Sequence, residues 1–215
     1  MSIVTGIDAI REAAKKNSGA GKSRKDTFVK LEDGDTKKVW FLQELDESSP
    51  HYNEEFGLGA LVVEYRDPDN FRKRALDTTD SEGKCWMAEQ GWRPRTSFYI
   101  NVYDEETGKV QVLNQGFGSK TVTEWLLEYA GDAGSITNVP FKIRRKGSGQ
   151  YDTEYSLVPA GVPGEPKAGN DVKPDQLVDI DTLLNHVPYE EQEEFFRGEE
   201  NKPSGDSAGK RESAW

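Results

Sequence analysis

Between Trp92 and Asp104 the sequence reads WRPRTSFYINVYD, a strand whose alternation constrains the chain more than any other stretch. Successive side chains of a strand point to opposite faces. Thr96, Phe98, Ile100 and Val102 then share one face, which is core material. Arg95, Ser97, Tyr99, Asn101 and Tyr103 share the other, with Trp92 and Arg93 just before them. A solvated strand face needs no aromatic rings, whereas a face that stacks bases and neutralises phosphates needs rings and cations together. The competing reading is that Tyr99 and Tyr103 pack under a loop or form cross-strand pairs in a two-sided sheet, since strands favour Tyr intrinsically.

Length and charge narrow what can surround this strand. The 215 residues suit one domain of ordinary size with polar extensions, because only 34% are hydrophobic and 31% are charged. No apolar run approaches the roughly 18 residues of a membrane span, and the first residues carry no secretory pattern. A single cysteine, Cys85, excludes an intramolecular disulfide framework and fits a reducing cytoplasm. The net charge of −11 is unevenly spread. Residues 1–160 hold 22 Lys and Arg against 26 Asp and Glu, while residues 161–215 hold 6 against 13. A near-neutral body with an acidic tail points to a nucleic-acid protein, though solubilising tails share the pattern.

Three segments follow from composition and periodicity. Residues 1–26 read as a short helix over 5–16, capped by Thr5, then a flexible basic arm with Lys22, Arg24 and Lys25. The GAGKS within it does not complete a phosphate-binding loop, because Lys16 stands where the first glycine belongs and no strand precedes it. Residues 27–160 form the main domain. Thr36–Leu42 and Leu58–Tyr65 read as strands, and residues 66–94 as an insertion that breaks the sheet pattern, with the basic cluster Arg72, Lys73 and Arg74. After the opening strand, Lys109–Leu113 returns as its hairpin partner. Thr121–Ala130 is a helix with a capping box at Thr121 and Glu124, and Gly131 ends it; its stripe Val122, Trp125, Leu126 and Tyr129 plugs the core. Val139–Arg145 and Tyr151–Val158 make a last hairpin with Lys142 and Arg144 facing out. Residues 161–215 are a linker and an acidic, largely disordered tail, with helical turns between Asp179 and Phe196 broken at Pro188.

This order suits a mainly β architecture with some α: a small antiparallel barrel with one helix between its third and fourth main strands, the plan of an OB-fold. Cation and aromatic recur together at Lys38 with Trp40, at Arg95 with Tyr99 and Tyr103, and at Lys142 with Arg144 near Tyr151. Catalytic constellations are hard to assemble. Neither H-E-x-x-H nor G-x-S-x-G is present, and the two histidines, His51 and His186, lie far from each other. No enzymatic activity and no cofactor is therefore expected, although a nuclease built from scattered carboxylates and Mg²⁺ stays open.

The runs GKCWMAEQGWRPRTSFYINVYD, GKVQVLNQGFGSKTVTEWLLEYAGD and PFKIRRKGSGQYDTEYSLVP together resemble the single-stranded DNA-binding proteins of tailed bacteriophages. The resemblance covers roughly residues 36–160, with the acidic tail in the corresponding place. It implies an OB-fold that coats and protects single strands during phage DNA replication and recombination in the host bacterial cytoplasm. Relatives commonly carry Cys-x-x-Cys in the insertion and hold zinc there. This chain has Cys85-Trp86-Met87-Ala88, so the second cysteine is Ala88 and no metal is expected; Phe71, Leu76, Trp86 and Met87 would hold the insertion instead. By the same analogy the tail would contact replication or recombination proteins and compete with DNA for a basic groove.

The expected function is non-enzymatic, sequence-tolerant binding of single-stranded DNA. The residues expected to carry it are Trp40, Arg72, Lys73, Arg74, Trp92, Arg93, Arg95, Tyr99, Tyr103, Lys142 and Arg144. A protein-interaction module or DNA-mimicking inhibitor would instead ignore oligonucleotides, and a metal-dependent nuclease would degrade them.

Overall fold

A computed structural model of the chain describes residues 24–149, 152–163 and 168–198. The N-terminal helix expected over 5–16, most of the basic arm, and the tail beyond residue 198 lie outside the described residues. In chain order the elements are α1 (Arg24–Thr27), β1 (Thr36–Phe41), β2 (Ala60–Arg66), β3 (Arg74–Leu76), α2 (Thr79–Glu82), α3 (Trp86–Glu89), β4 (Arg95–Asp104), β5 (Lys109–Gly116), α4 (Val122–Ala133), β6 (Phe141–Lys146), β7 (Glu154–Pro159) and α5 (Tyr189–Arg197). The chain is thus mainly β, with antiparallel strand pairing. Among the described residues no helix is long and apolar enough to cross a membrane.

Two compact units emerge: Met1–Leu61 with Ser97–Ile180, and Val62–Thr96 with Asp181–Trp215. In the first, β5 pairs with β4, β4 with β1, β1 with β6, and β6 with β7. The alternation read from sequence sets the inner face. Val39 and Phe41 of β1, Phe98, Ile100 and Val102 of β4, and Phe141 and Ile143 of β6 are all buried in one cluster. Helix α4 closes it with Val122 and Leu126, and Tyr129 packs edge-on against Phe141 at a centroid distance of 4.9 Å. Thr121 caps α4 as expected by accepting a hydrogen bond from Glu124 N. The helix runs past Gly131 and stops at Gly134, whose φ of 73° is the left-handed cap conformation that glycine adopts without a Cβ clash.

The loop before β6 is fastened from below. Glu44 is buried, and its carboxylate accepts from Ser135 Oγ, Ile136 N, Thr137 N and Thr137 Oγ1. A buried carboxylate needs donors of this kind to offset its lost hydration. The network explains why a charged residue stands at the exit of a core strand.

The second unit departs from the expected insertion in two respects. Residues 66–94 do not simply break the sheet pattern: β3 pairs with β2, placing Glu64 opposite Leu76 and Arg66 opposite Arg74. The helical turns expected after Pro188 are present, but they are packed into this unit rather than part of a loose tail. Helix α5 belongs to this unit and buries Gln192 and Phe196. Phe196 stacks on Trp86 at 6.2 Å and meets Trp92 edge-on at 5.0 Å. Gln192 accepts from Trp86 N and donates to Thr78 Oγ1 and Val187 O. The sequence signal is the pair Phe195-Phe196 inside an acidic run, which looks solvated by composition but supplies a ring to the Trp86–Trp92 cluster.

Candidate nucleic-acid interface

In an antiparallel ladder, residues directly opposite each other share a face. Trp40 stands opposite Tyr103. Lys38 stands opposite Lys142, which stands opposite Val158. Thr36, Arg144 and Ser156 form the next row, and Lys146 with Glu154 the one after. Trp40, Tyr99, Tyr103, Lys142 and Arg144 therefore lie on one outer face, back to back with the core. Five of the eleven expected residues are brought together by register alone.

That face has two halves. The β6 half is open: Lys142, Arg144 and Lys146 are exposed, as are Ser156 and Val158. The β1–β4 half is covered. Trp40 is 2% exposed and Tyr99 0%, with Tyr103 partly buried. The expectation that Tyr99 and Trp40 present free rings is thus corrected. Residues 168–180 run across this half. Val178 donates its N–H to Asn101 Oδ1 at 2.9 Å, and Asn101 Nδ2 donates to Val178 O at 3.1 Å. Gly169, at φ 85°, sits so close to the Tyr103 ring that a Cβ there would come within 2.8 Å of it. Tyr103 packs under a loop, as in the competing reading of the alternation, and that loop comes from far along the chain, where local periodicity carries no signal.

Carboxylates tie up part of the positive charge. Trp40 Nε1 donates to Glu105 Oε1 at 2.7 Å, and Lys38 Nζ pairs with Glu105 Oε2 at 3.0 Å. Lys37 Nζ lies 2.6 Å from the fully buried Asp104. Lys142 and Arg144 remain the exposed cations of the expected set in this unit.

In the second unit the expected residues divide again. Arg72, Arg93 and Arg95 are exposed. Lys73 donates to Phe196 O at 3.1 Å, and Arg74 lies 3.4 Å from Glu64, which also binds Arg66 at 2.7 Å. These two cations support the fold of the unit. Trp92 is a packing residue, edge-on to Trp86 at 5.7 Å. Phe71, expected to hold the insertion, is instead 66% exposed. The loop around it is organised by Asp67 Oδ1, which accepts from Asp69 N and Asn70 N. The residues of the insertion do not fit a zinc site. Cys85 is buried with its Sγ 4.0 Å from Met87 Sδ, and among the described residues no group of three or more His, Cys, Asp or Glu is placed to hold a metal ion.

A second concave feature adjoins the open half. Lys120, Trp125, Arg144, Lys146, Glu154, Tyr155 and Ser156 line a cleft of about 490 Å³. Lys120 Nζ is ion-paired with Glu154. That hydrogen bond and charge, with a further contribution from Lys146, hold the Glu154 carboxyl below its ordinary value. Trp125 belongs by spacing to the apolar stripe of α4, yet it is 40% exposed while Val122 and Leu126 are buried. The stripe is wide enough that its edge residue faces outward, a distinction that period 3.6 alone does not make.

No family model, curated protein or solved structure matches this chain.

Proposed function

We propose that this protein is a sequence-tolerant binder of single-stranded DNA, of the kind that coats strands during phage replication and recombination. One observation carries the reading: the outer face of β1, β4, β6 and β7 places an open cationic half, Lys142, Arg144 and Lys146, beside a half built of Trp40, Tyr99 and Tyr103. Cations neutralise phosphates and rings stack bases without regard to sequence. The strand order β5-β4-β1-β6-β7, with α4 between β5 and β6, supports an OB-fold assignment.

The open half makes the first contacts, through phosphate. The ring half becomes available when residues 168–180 leave it. That segment carries Asp171, Asp175 and Asp179 against Lys173, so it offers the face the same sign of charge as a nucleic-acid backbone. Replication or recombination proteins that bind the acidic tail would favour its release.

A fluorescence titration of the full-length protein with oligo-dT at two salt concentrations, run beside a gel, tests the reading. Saturable binding that weakens with salt, and an intact oligonucleotide, are expected. Affinity unmeasurable at low salt would favour the inhibitor or interaction module, and cleavage with Mg²⁺ would favour a nuclease.

A further inference from the structure

We propose that the cleft between β7 and α4 is a second contact point for single-stranded nucleic acid, taking a base on Trp125 and a backbone phosphate on Lys120 and Lys146 in place of Glu154. The inference rests on the single-strand reading above and extends the strand's path beyond the sheet face.

Four features support it. First, Trp125 is the one tryptophan of the described residues that keeps a large exposed surface, and its indole is oriented: Nε1 donates to Tyr155 O at 3.1 Å. A ring fixed by one edge offers its face for stacking at little entropic cost. Second, Lys120 is the only non-glycine among the described residues with positive φ, at 68°. Its N–H donates to Glu124 Oε2 at 2.8 Å and its carbonyl accepts from Tyr155 N at 2.9 Å. Such strained residues persist where the surroundings over-determine them, and they cluster at binding sites. Third, the lining sets three cations, Lys120, Arg144 and Lys146, against the single carboxylate of Glu154. Glu154 occupies the position of an anion on Lys120, and a phosphate can take it over. Fourth, Arg144 belongs both to the cleft and to the open row of the outer face. A backbone lying along Lys142 and Arg144 reaches the cleft without a gap in positive charge.

A phosphate or acidic peptide alone would use the cations and leave Trp125 idle, so the ring selects for nucleic acid. The test uses the full-length chain with oligo-dT, and compares wild type with Trp125→Ala, Trp125→Phe, Lys120→Gln and Glu154→Gln. Thermal melting of each variant is recorded in parallel. Trp125→Ala should weaken binding roughly 5- to 150-fold, with Trp125→Phe restoring most of it. Lys120→Gln should lower the slope of log affinity against log salt by about 0.7, the value of one single-strand phosphate contact. Glu154→Gln should tighten binding by removing the resident anion. Wild-type binding with unchanged affinity and salt slope in Trp125→Ala and Lys120→Gln would overturn the cleft and leave the sheet face standing. Lys120 is exposed and lies in the cleft but not in the row of Lys142, Arg144 and Lys146, so its variant still discriminates if the tryptophan replacement unfolds α4. A wild type that fails to bind oligo-dT at all would overturn the single-strand reading itself, and the cleft with it.

Discussion

Tyr99 and Arg144 share a face yet answer to different demands. Tyr99 is fully buried, so its ring contributes packing to the fold. Tyr99→Ala should cost about 3–5 kcal/mol of stability, the usual range for deleting a buried aromatic ring, read as a lowered denaturant midpoint. Arg144→Gln should leave that midpoint within about 0.5 kcal/mol, as for most exposed positions, while weakening oligo-dT binding. If Tyr99→Ala melted like wild type, the covered half of the face would be open in solution. Glu44 makes a parallel case. Glu44→Ala strands the donors of Ser135, Ile136 and Thr137, and each buried unsatisfied group costs about 1–3 kcal/mol. From sequence alone, the outward side of Tyr99 on its strand and of Arg144 on its own was legible, because alternation is a local rule; that both share one face was not, because the register of β4, β1 and β6 joins segments far apart in the chain. Their difference in burial was not, because it depends on which distant segment lies over them.

At the scale of elements, the strands from β1 to β7 and the capped helix α4 were largely legible, since period 2, period 3.6 and the Thr121 cap are written into short windows; the short β3 inside the insertion was the exception. The covering segment 168–180 was not, because its three Asp and lack of periodicity assign it to solvent. Helical turns between Asp179 and Phe196, broken at Pro188, were legible, but the burial of α5 was not, because four Glu among its nine residues suggest a solvated helix. Two contacts reveal the first: Val178 with Asn101, and Gly169 against Tyr103. Gly169→Val should lift the segment, because a side chain there meets the ring and the backbone resists the required φ of 85°. The expected result is tighter oligo-dT binding than wild type; equal affinity would mean the segment does not compete. For α5, Phe196→Ala should destabilise the second unit by about 3–5 kcal/mol, monitored by the fluorescence of Trp86 and Trp92. A chelator should leave the melting temperature unchanged, because stacked rings rather than a metal hold that unit together. About one zinc per chain by elemental analysis would contradict this.

At the scale of the whole molecule, the proposed function requires a chain of net charge −11 to bind a polyanion through a local field. Surface charges are screened beyond about 8 Å at physiological ionic strength, so the open row of Lys142, Arg144 and Lys146 governs contact with a backbone more than the total does. On the proposed reading, the acidic excess after residue 160 would act instead as a tethered competitor. Deleting everything after Gly169 would test that competition poorly, because it also removes Val187, Gln192 and Phe196 from the second unit's core. Substitution on the face itself avoids the confusion. The decisive measurement is the salt-dependent affinity of the full-length double variant Lys142→Glu with Arg144→Glu for oligo-dT, alongside its melting temperature. If the outer face binds the strand, affinity falls, the salt slope drops by about 1.4 for two lost phosphate contacts, and the melting temperature holds. Wild-type affinity and slope in that variant would contradict binding through this face.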